Sequence, residues 1–312
     1  QAPLLEPSFH FPRSFLWASA PAAHQVEGGN TNNNWARWES EPGRIIHDQK
    51  AGLACDWWGG RWREDLERAR DTGQNAHRLS IEWSRVQPAP DRWDDEALDR
   101  YVEIARWLVD NGMTPMVTLH HFSDPLWLVE MGGWENDDTP ALFARFVRRA
   151  VTALKDYVSL WTTVNEPNVY ALSGWVEGLF PPGKRDLALA ARVVVNLIRG
   201  HAAAYRVIHE LQPEARAGVA TNYRSFAPAH PNNPFDRIPL NFQNQVFNRA
   251  FNDCLVSGKL NLALKKFSLP EAAGTQDFIG PNYSPRDMVA FDLLRPGQMF
   301  GLRSVAAARA SR

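Results

Sequence analysis

In the stretch "SLWTTVNEPNVY" (159–170), an amide and a carboxyl, Asn165 and Glu166, follow directly on an apolar run. Leu160 to Val164 have the aromatic and β-branched composition of a buried strand, and Pro167 ends any extended pairing. A carboxyl held at the mouth of such a strand suits general acid–base chemistry, and the neighbouring amide supplies both a donor and an acceptor. Other polar side chains fall at comparable places. Gln25 lies just beyond a first apolar segment, Arg78 within a second and His121 after a third; Asn222 follows a fifth, and Asn282 with Tyr283 a sixth. His120 and His121 are not read as a metal pair, because adjacent strand residues face opposite ways, and no metal site is expected.

Positioning these groups requires strands that end on one face. Short apolar segments at 14–20, 75–81, 114–120, 159–165, 215–221 and 276–282 alternate with longer helical patterns at 63–73, 94–112, 139–157 and 186–211. Leu142, Phe146, Val151 and Leu154 repeat near helical spacing. Asp94 or Asp95 and Thr139 read as N-caps, and Gly112 as a helix stop. The alternation predicts an α/β protein with a parallel sheet, and "APAAHQVEGGN" does not match a dinucleotide-binding loop. A closed β/α barrel brings every strand's carboxyl end to one face, where the polar residues above would meet. The chain is therefore read as a TIM (β/α)8-type barrel, a single domain over 1–312, incomplete at about six of eight βα units and lacking the seventh and eighth strands.

The formal net charge of −1 favours neither nucleic acid nor an anionic membrane. No apolar run is read as long enough to cross a bilayer. The opening residues lack a basic segment before an apolar core, so no signal peptide is expected, and two cysteines, Cys55 and Cys254, point to a reducing, cytoplasmic setting. Most of the 13 tryptophans are read as core.

The segments "FLWASAPAAHQVEG", "RWREDLERARDTGQNAHRLSIEWSRVQP", "TLHHFSDPLWL", "WTTVNEPNVYALSGWVEGLFPPG" and "DFIGPNYS" resemble, in order, successive motifs of glycoside hydrolase family 1, from about residue 9 to about residue 291. The resemblance implies a retaining β-glycosidase acting on β-D-glucosides or β-D-galactosides, with a small β-linked saccharide or aryl glucoside as partner and no cofactor. It makes Glu166 the general acid/base and Asn165 the partner of the sugar 2-hydroxyl. Gln25 and His121 would hold other sugar hydroxyls, Asn282 belongs to the same substrate-binding set, and Arg78 and Tyr283 would orient the nucleophilic carboxylate. This sequence departs from the pattern at His24 and Phe122, which replace a tyrosine and a tryptophan, and at "PNYS", which lacks the second tyrosine. The family's nucleophile lies in a Thr-Glu-Asn-Gly-like segment, and none is present in these 312 residues. Glu27, Glu130 and Glu177 lie near barrel-top loops, but none sits at a seventh-strand position.

Two readings follow: an enzyme whose activity is weak or depends on a missing segment, or a non-catalytic sugar- or partner-binding barrel. Either way the first and sixth strands would have an open edge that uncovers Phe15, Trp17, Phe278 and Ile279, which predicts self-association or a complementing segment.

Overall fold

A computed structural model describes residues 10–262, 265–294 and 301–305. Strand β1 (Ala18–Ser19) precedes helices α1 (Ala23–Val26), α2 (Asn34–Ser40) and α3 (Trp62–Asp71). Then come β2 (Ala76–Ser80) with α4 (Trp83–Val86) and α5 (Asp95–Asp110), and β3 (Thr114–His120) with α6 (Leu126–Glu130) and α7 (Thr139–Leu154). β4 (Leu160–Asn165) leads into α8 (Pro167–Trp175) and α9 (Leu187–Leu211). β5 (Arg216–Pro228) is followed by α10 (Arg237–Gln243), α11 (Ala250–Ser257) and the antiparallel pair β6 (Lys259–Asn261) and β7 (Lys266–Ser268). The described chain ends with β8 (Phe278–Phe291) and β9 (Gly301–Val305). The main sheet runs β1-β2-β3-β4-β5-β8-β9; its first six strands are parallel, the wall of an incomplete β/α barrel, and β9 is antiparallel to β8.

β3 and β4 are covered on both faces, which is why they read as near-continuous apolar runs. Asp94 caps α5 by accepting from the Ala97 amide at 2.9 Å, and Gly112 takes a left-handed φ of 73° just past its end. Asp138, not Thr139, precedes the first turn of α7, because the Thr139 hydroxyl donates instead to the Gly133 carbonyl at 2.5 Å. Trp83, Trp134, Trp161, Phe143 and Phe146 fill the core, and eight of the 13 tryptophans are buried, so most of them serve packing.

One expectation is corrected by α9. Its 25 residues are long and apolar enough, by length and composition, to cross a membrane, although no such run was expected. Over its most apolar window 56% is buried, with Val193, Leu197, Ile198 and Ile208 enclosed and the helix packed on α7 and α8. Interspersed arginines and alanines hide this apolar face from a simple run count.

The outer strands also differ from expectation. β1 has two residues rather than seven: Trp17 still accepts at its carbonyl from the Asn75 and Ala76 amides (3.1 and 3.2 Å), but its own amide donates to the Asn75 side chain (2.7 Å), and the ladder registers only at Ala18 and Ser19. Phe11, Phe15 and Trp17 form an exposed aromatic cluster with ring centroids 4.4–4.8 Å apart. β5 and β8 continue well past their expected ends as a paired ribbon, with a register shift between Arg224 and Phe226. β9 covers the outer edge of β8 from Asp287 to Phe291, so Ser304 and Val305 are strand, whereas the tail "SVAAARASR" reads as helix-forming; residues 306–312 lie outside the described residues. Below that, Phe278 to Ser284 have no outer strand partner among the described residues. Ile279 is exposed there, but Phe278 is half-buried over Gly218, where any Cβ would come within 2.6 Å of the Phe278 carbonyl oxygen.

Candidate active site

Glu166 stands where β4 turns into α8. Its φ of 44° is left-handed, so the chain bends sharply at this residue, and Pro167 opens the helix with a φ already suited to it. Asn168 ties this corner to β5: its Nδ2 donates to the carbonyls of Asn222 (2.8 Å) and Phe247 (2.9 Å), and its Oδ1 accepts from the Asn222 amide (3.3 Å).

Five of the expected residues gather around this corner. Glu166 Oε1 accepts from Asn282 Nδ2 at 2.8 Å and from Asn222 Nδ2 at 3.0 Å. Asn165, fully enclosed, accepts at Oδ1 from Arg78 Nη2 (2.7 Å) and from Asn282 Nδ2 (3.2 Å). Arg78 also donates from Nε to Thr118 Oγ1 at 2.8 Å. Burial pulls the Arg78 guanidinium down to about 10, partly offset by the Glu166 carboxylate, so it stays charged at neutral pH. Among the described residues no carboxylate lies within 4 Å of it; Glu82 instead takes the hydroxyls of Ser84 (2.8 Å) and Ser123 (2.9 Å).

His121 lies just past β3 with its Nδ1 buried and unbonded among the described residues. Burial first, then the charges of Arg78 and His120, lower its imidazole to about 3, so it is neutral over the working range and can donate or accept. His120 faces away, against Asp124 (3.0 Å), as alternation requires. Among the described residues no His, Cys, Asp and Glu cluster suits a metal ion.

Two expected residues are not in the cluster. Gln25 is exposed, and its amide oxygen accepts from the Ala22 backbone at the start of its own helix (3.3 Å). Tyr283 is 74% exposed on the opposite face of β8 from Asn282, because strand side chains alternate. The residue on the Asn282 face is Ser284, which sequence reasoning passed over and which a period-two count from Asn282 finds. Thr118 and Asn168 were also missed; each supports a neighbour and carries no chemistry that its type would announce.

The profile described as Glycosyl hydrolase family 1 matches residues 8–278. The chain is 32% identical over 307 residues to Beta-glucosidase A of Thermotoga maritima, covering 93% of this chain and 68% of that protein. Among solved structures it superposes on a beta-glycosidase from Pyrococcus horikoshii with a TM-score of 0.86 at 33% identity, covering 95% of this chain and 67% of the other. A Beta-glucosidase from Thermotoga maritima in complex with castanospermine gives a TM-score of 0.88 at 31% identity, covering 95% and 70% respectively.

Proposed function

The chain belongs to glycosyl hydrolase family 1, a glycosidase of the β-glucosidase kind, and from that premise we propose retaining hydrolysis of β-D-glucosides or β-D-galactosides with Glu166 as general acid and then base. One observation carries the reading: a carboxyl fixed by two amides shares a cluster with a largely buried guanidinium that has no carboxylate within 4 Å among the described residues, the Glu166 charge acting on it only from farther off. Retaining chemistry needs a second carboxyl about 5–5.5 Å from the first, and an unpaired Arg78 is a natural holder for it.

No Thr-Glu-Asn-Gly-like segment occurs in the 312 residues, so in this reading the nucleophile comes from a further segment. That segment would seat along the uncovered edges of β1 and the lower part of β8. Asn165 Nδ2, the neutral His121 ring, Asn282 and, on leaving the Ala22 amide, Gln25 would take sugar hydroxyls. The apolar edge also supports self-association, and two unpaired cysteines support a cytoplasmic setting.

The test is turnover of an aryl β-glucoside by the 312-residue chain, alone and with a fragment carrying the remaining strands of a relative. The expected result is a rate that rises with the fragment and drops about 100-fold or more in Glu166→Gln. Equal rates for parent and variant would end the proposal. Glucoside binding without turnover, with or without the fragment, would favour the non-catalytic barrel, which the missing nucleophile segment supports.

A further inference from the structure

We propose that Ser284 and Asn222 form a positioning pair that anchors Glu166 through Oε1 and leaves Oε2 as the atom that carries the catalytic proton; this rests on Glu166 being the acid/base. The parallel register sets Asn222 beside Asn282 and Arg224 beside Ser284, which brings Asn222, Asn282 and Ser284 to the same side of the sheet as Glu166. The Ser284 hydroxyl meets both ends of the Asn222 amide, accepting from Nδ2 at 2.9 Å and donating to Oδ1 at 3.2 Å. Asn222's backbone is clamped on both its polar groups by Asn168. The amide plane is therefore held from the side chain and from the main chain at once.

The direction in which the amide points follows from the charge opposite it. A carbonyl turned toward Glu166 would set acceptor against acceptor, so Nδ2 faces the carboxyl. Asn222 and Asn282 then both donate to Oε1, whereas Oε2 accepts from none of the described residues. An oxygen that already accepts two hydrogen bonds is the poorer base, so the proton resides on Oε2. When the glycosidic C–O bond breaks, its electron pair stays with the leaving oxygen, which takes the Oε2 proton, while a carboxylate oxygen of the further segment bonds to the anomeric carbon as an ester. The charge left on the carboxylate collects at Oε1, where two donors wait for it. In the second half-reaction the same oxygen, Oε2, removes a proton from the water whose oxygen bonds to the anomeric carbon, and the ester bond breaks to release the further segment's carboxylate.

Ser284 stands where the resemblance calls for a tyrosine, so this relay is a feature of this chain's own residues. A short hydroxyl reaches Asn222, whereas a phenol would project past it.

Side-chain amide resonances of Asn222 and Asn282, assigned by Asn→Asp variants, test the anchoring without substrate. Solvent exchange at the Asn222 amide should be about tenfold faster in Ser284→Ala, unchanged in Ser284→Thr, and unchanged at Asn282 in both. Ser284→Cys, which keeps the volume and weakens the bond, should fall between. Unchanged Asn222 exchange in Ser284→Ala and Ser284→Cys overturns the proposal. A second arm compares leaving groups in the fragment-supplemented assay. Ser284→Ala should lower kcat for an alkyl glucoside about tenfold more than for a dinitrophenyl glucoside, whose leaving group needs little protonation. Equal losses for both would assign Ser284 a merely structural role and sink the inference. If the parent turns over neither substrate, the hydrolase reading fails, while the exchange arm still decides whether the pair anchors Glu166.

Discussion

Two half-buried arginines, one within β2 and one just beyond it, meet opposite surroundings. Arg85 donates from Nε to Glu27 at 2.7 Å, reaches the Gly28 carbonyl, and lies over the Trp58 ring at 3.9 Å. Arg78, seven residues earlier, finds only the neutral oxygens of Thr118 and Asn165. Around Arg85 the chain supplies more acid than one cation can balance. Burial, with the Glu82 charge adding to it and Arg85 only partly undoing it, pushes Glu27 up to about 7. The contrast separates two uses of one side chain: Arg85 is engaged by the fold itself, whereas Arg78 keeps its charge available for an anion that the described residues do not provide.

That contrast can be broken most forcefully at Arg85. Arg85→Met should cost about 4 kcal/mol at pH 8.5 in urea unfolding, because it strands a buried carboxylate. The cost should shrink at pH 5, where Glu27 is protonated in the parent as well. A loss independent of pH would show that stacking on Trp58, not charge, is what Arg85 contributes.

Glu27 gives the next largest effect. Folding lifts it from 4.5 to about 7, so between those values the folded chain binds more protons than the unfolded one. Its share of stability is whole below pH 4.5 and is lost as pH rises through about 7, a change of about 3 kcal/mol. Glu27→Gln should remove this component, so the stability difference between parent and variant drifts across that window and levels off above it. A flat difference from pH 4 to 8 would contradict the shift.

Arg78→Met should have the smallest effect on stability, about 1 kcal/mol, since it strands only neutral acceptors. Adding the fragment with the remaining strands should sharpen the comparison, raising the cost of Arg78→Met toward that of Arg85→Met. If Arg78→Met already equals Arg85→Met in the chain alone, Arg78 has an internal partner after all.

β2, which carries His77, Arg78 and Ser80, was legible from its place in the alternation of strands and helices, and β3 and β4 because a strand covered on both faces is largely apolar and stops where polarity begins. Glu166 was legible for the same reason, as the first ionisable side chain past Val164. β1 was not: Phe15 and Trp17 are as apolar as any strand residue, but the sheet gives them a neighbour on one side only, and they gather into a surface cluster instead. Tyr283 was misread because its type drew attention and its parity did not; counting from Asn282 places Ser284 on the site. Gln25 shows a different limit. An amide fits a sugar and a helix start equally well, and here it accepts from the backbone of Ala22. α9 escaped notice as a long apolar helix because its buried face is built from many small residues rather than a run of large ones.

The left-handed backbone at Glu166 also bears on how this position would drift over generations. A non-glycine residue held there is strained by about 1 kcal/mol, and Gly or Asn would relieve that strain with one or two nucleotide changes. A lineage that had given up proton transfer would gain stability by accepting either. Glutamate is thus the costlier choice for the scaffold at φ 44°, and in the hydrolase reading proposed above its acid–base role is what offsets that cost.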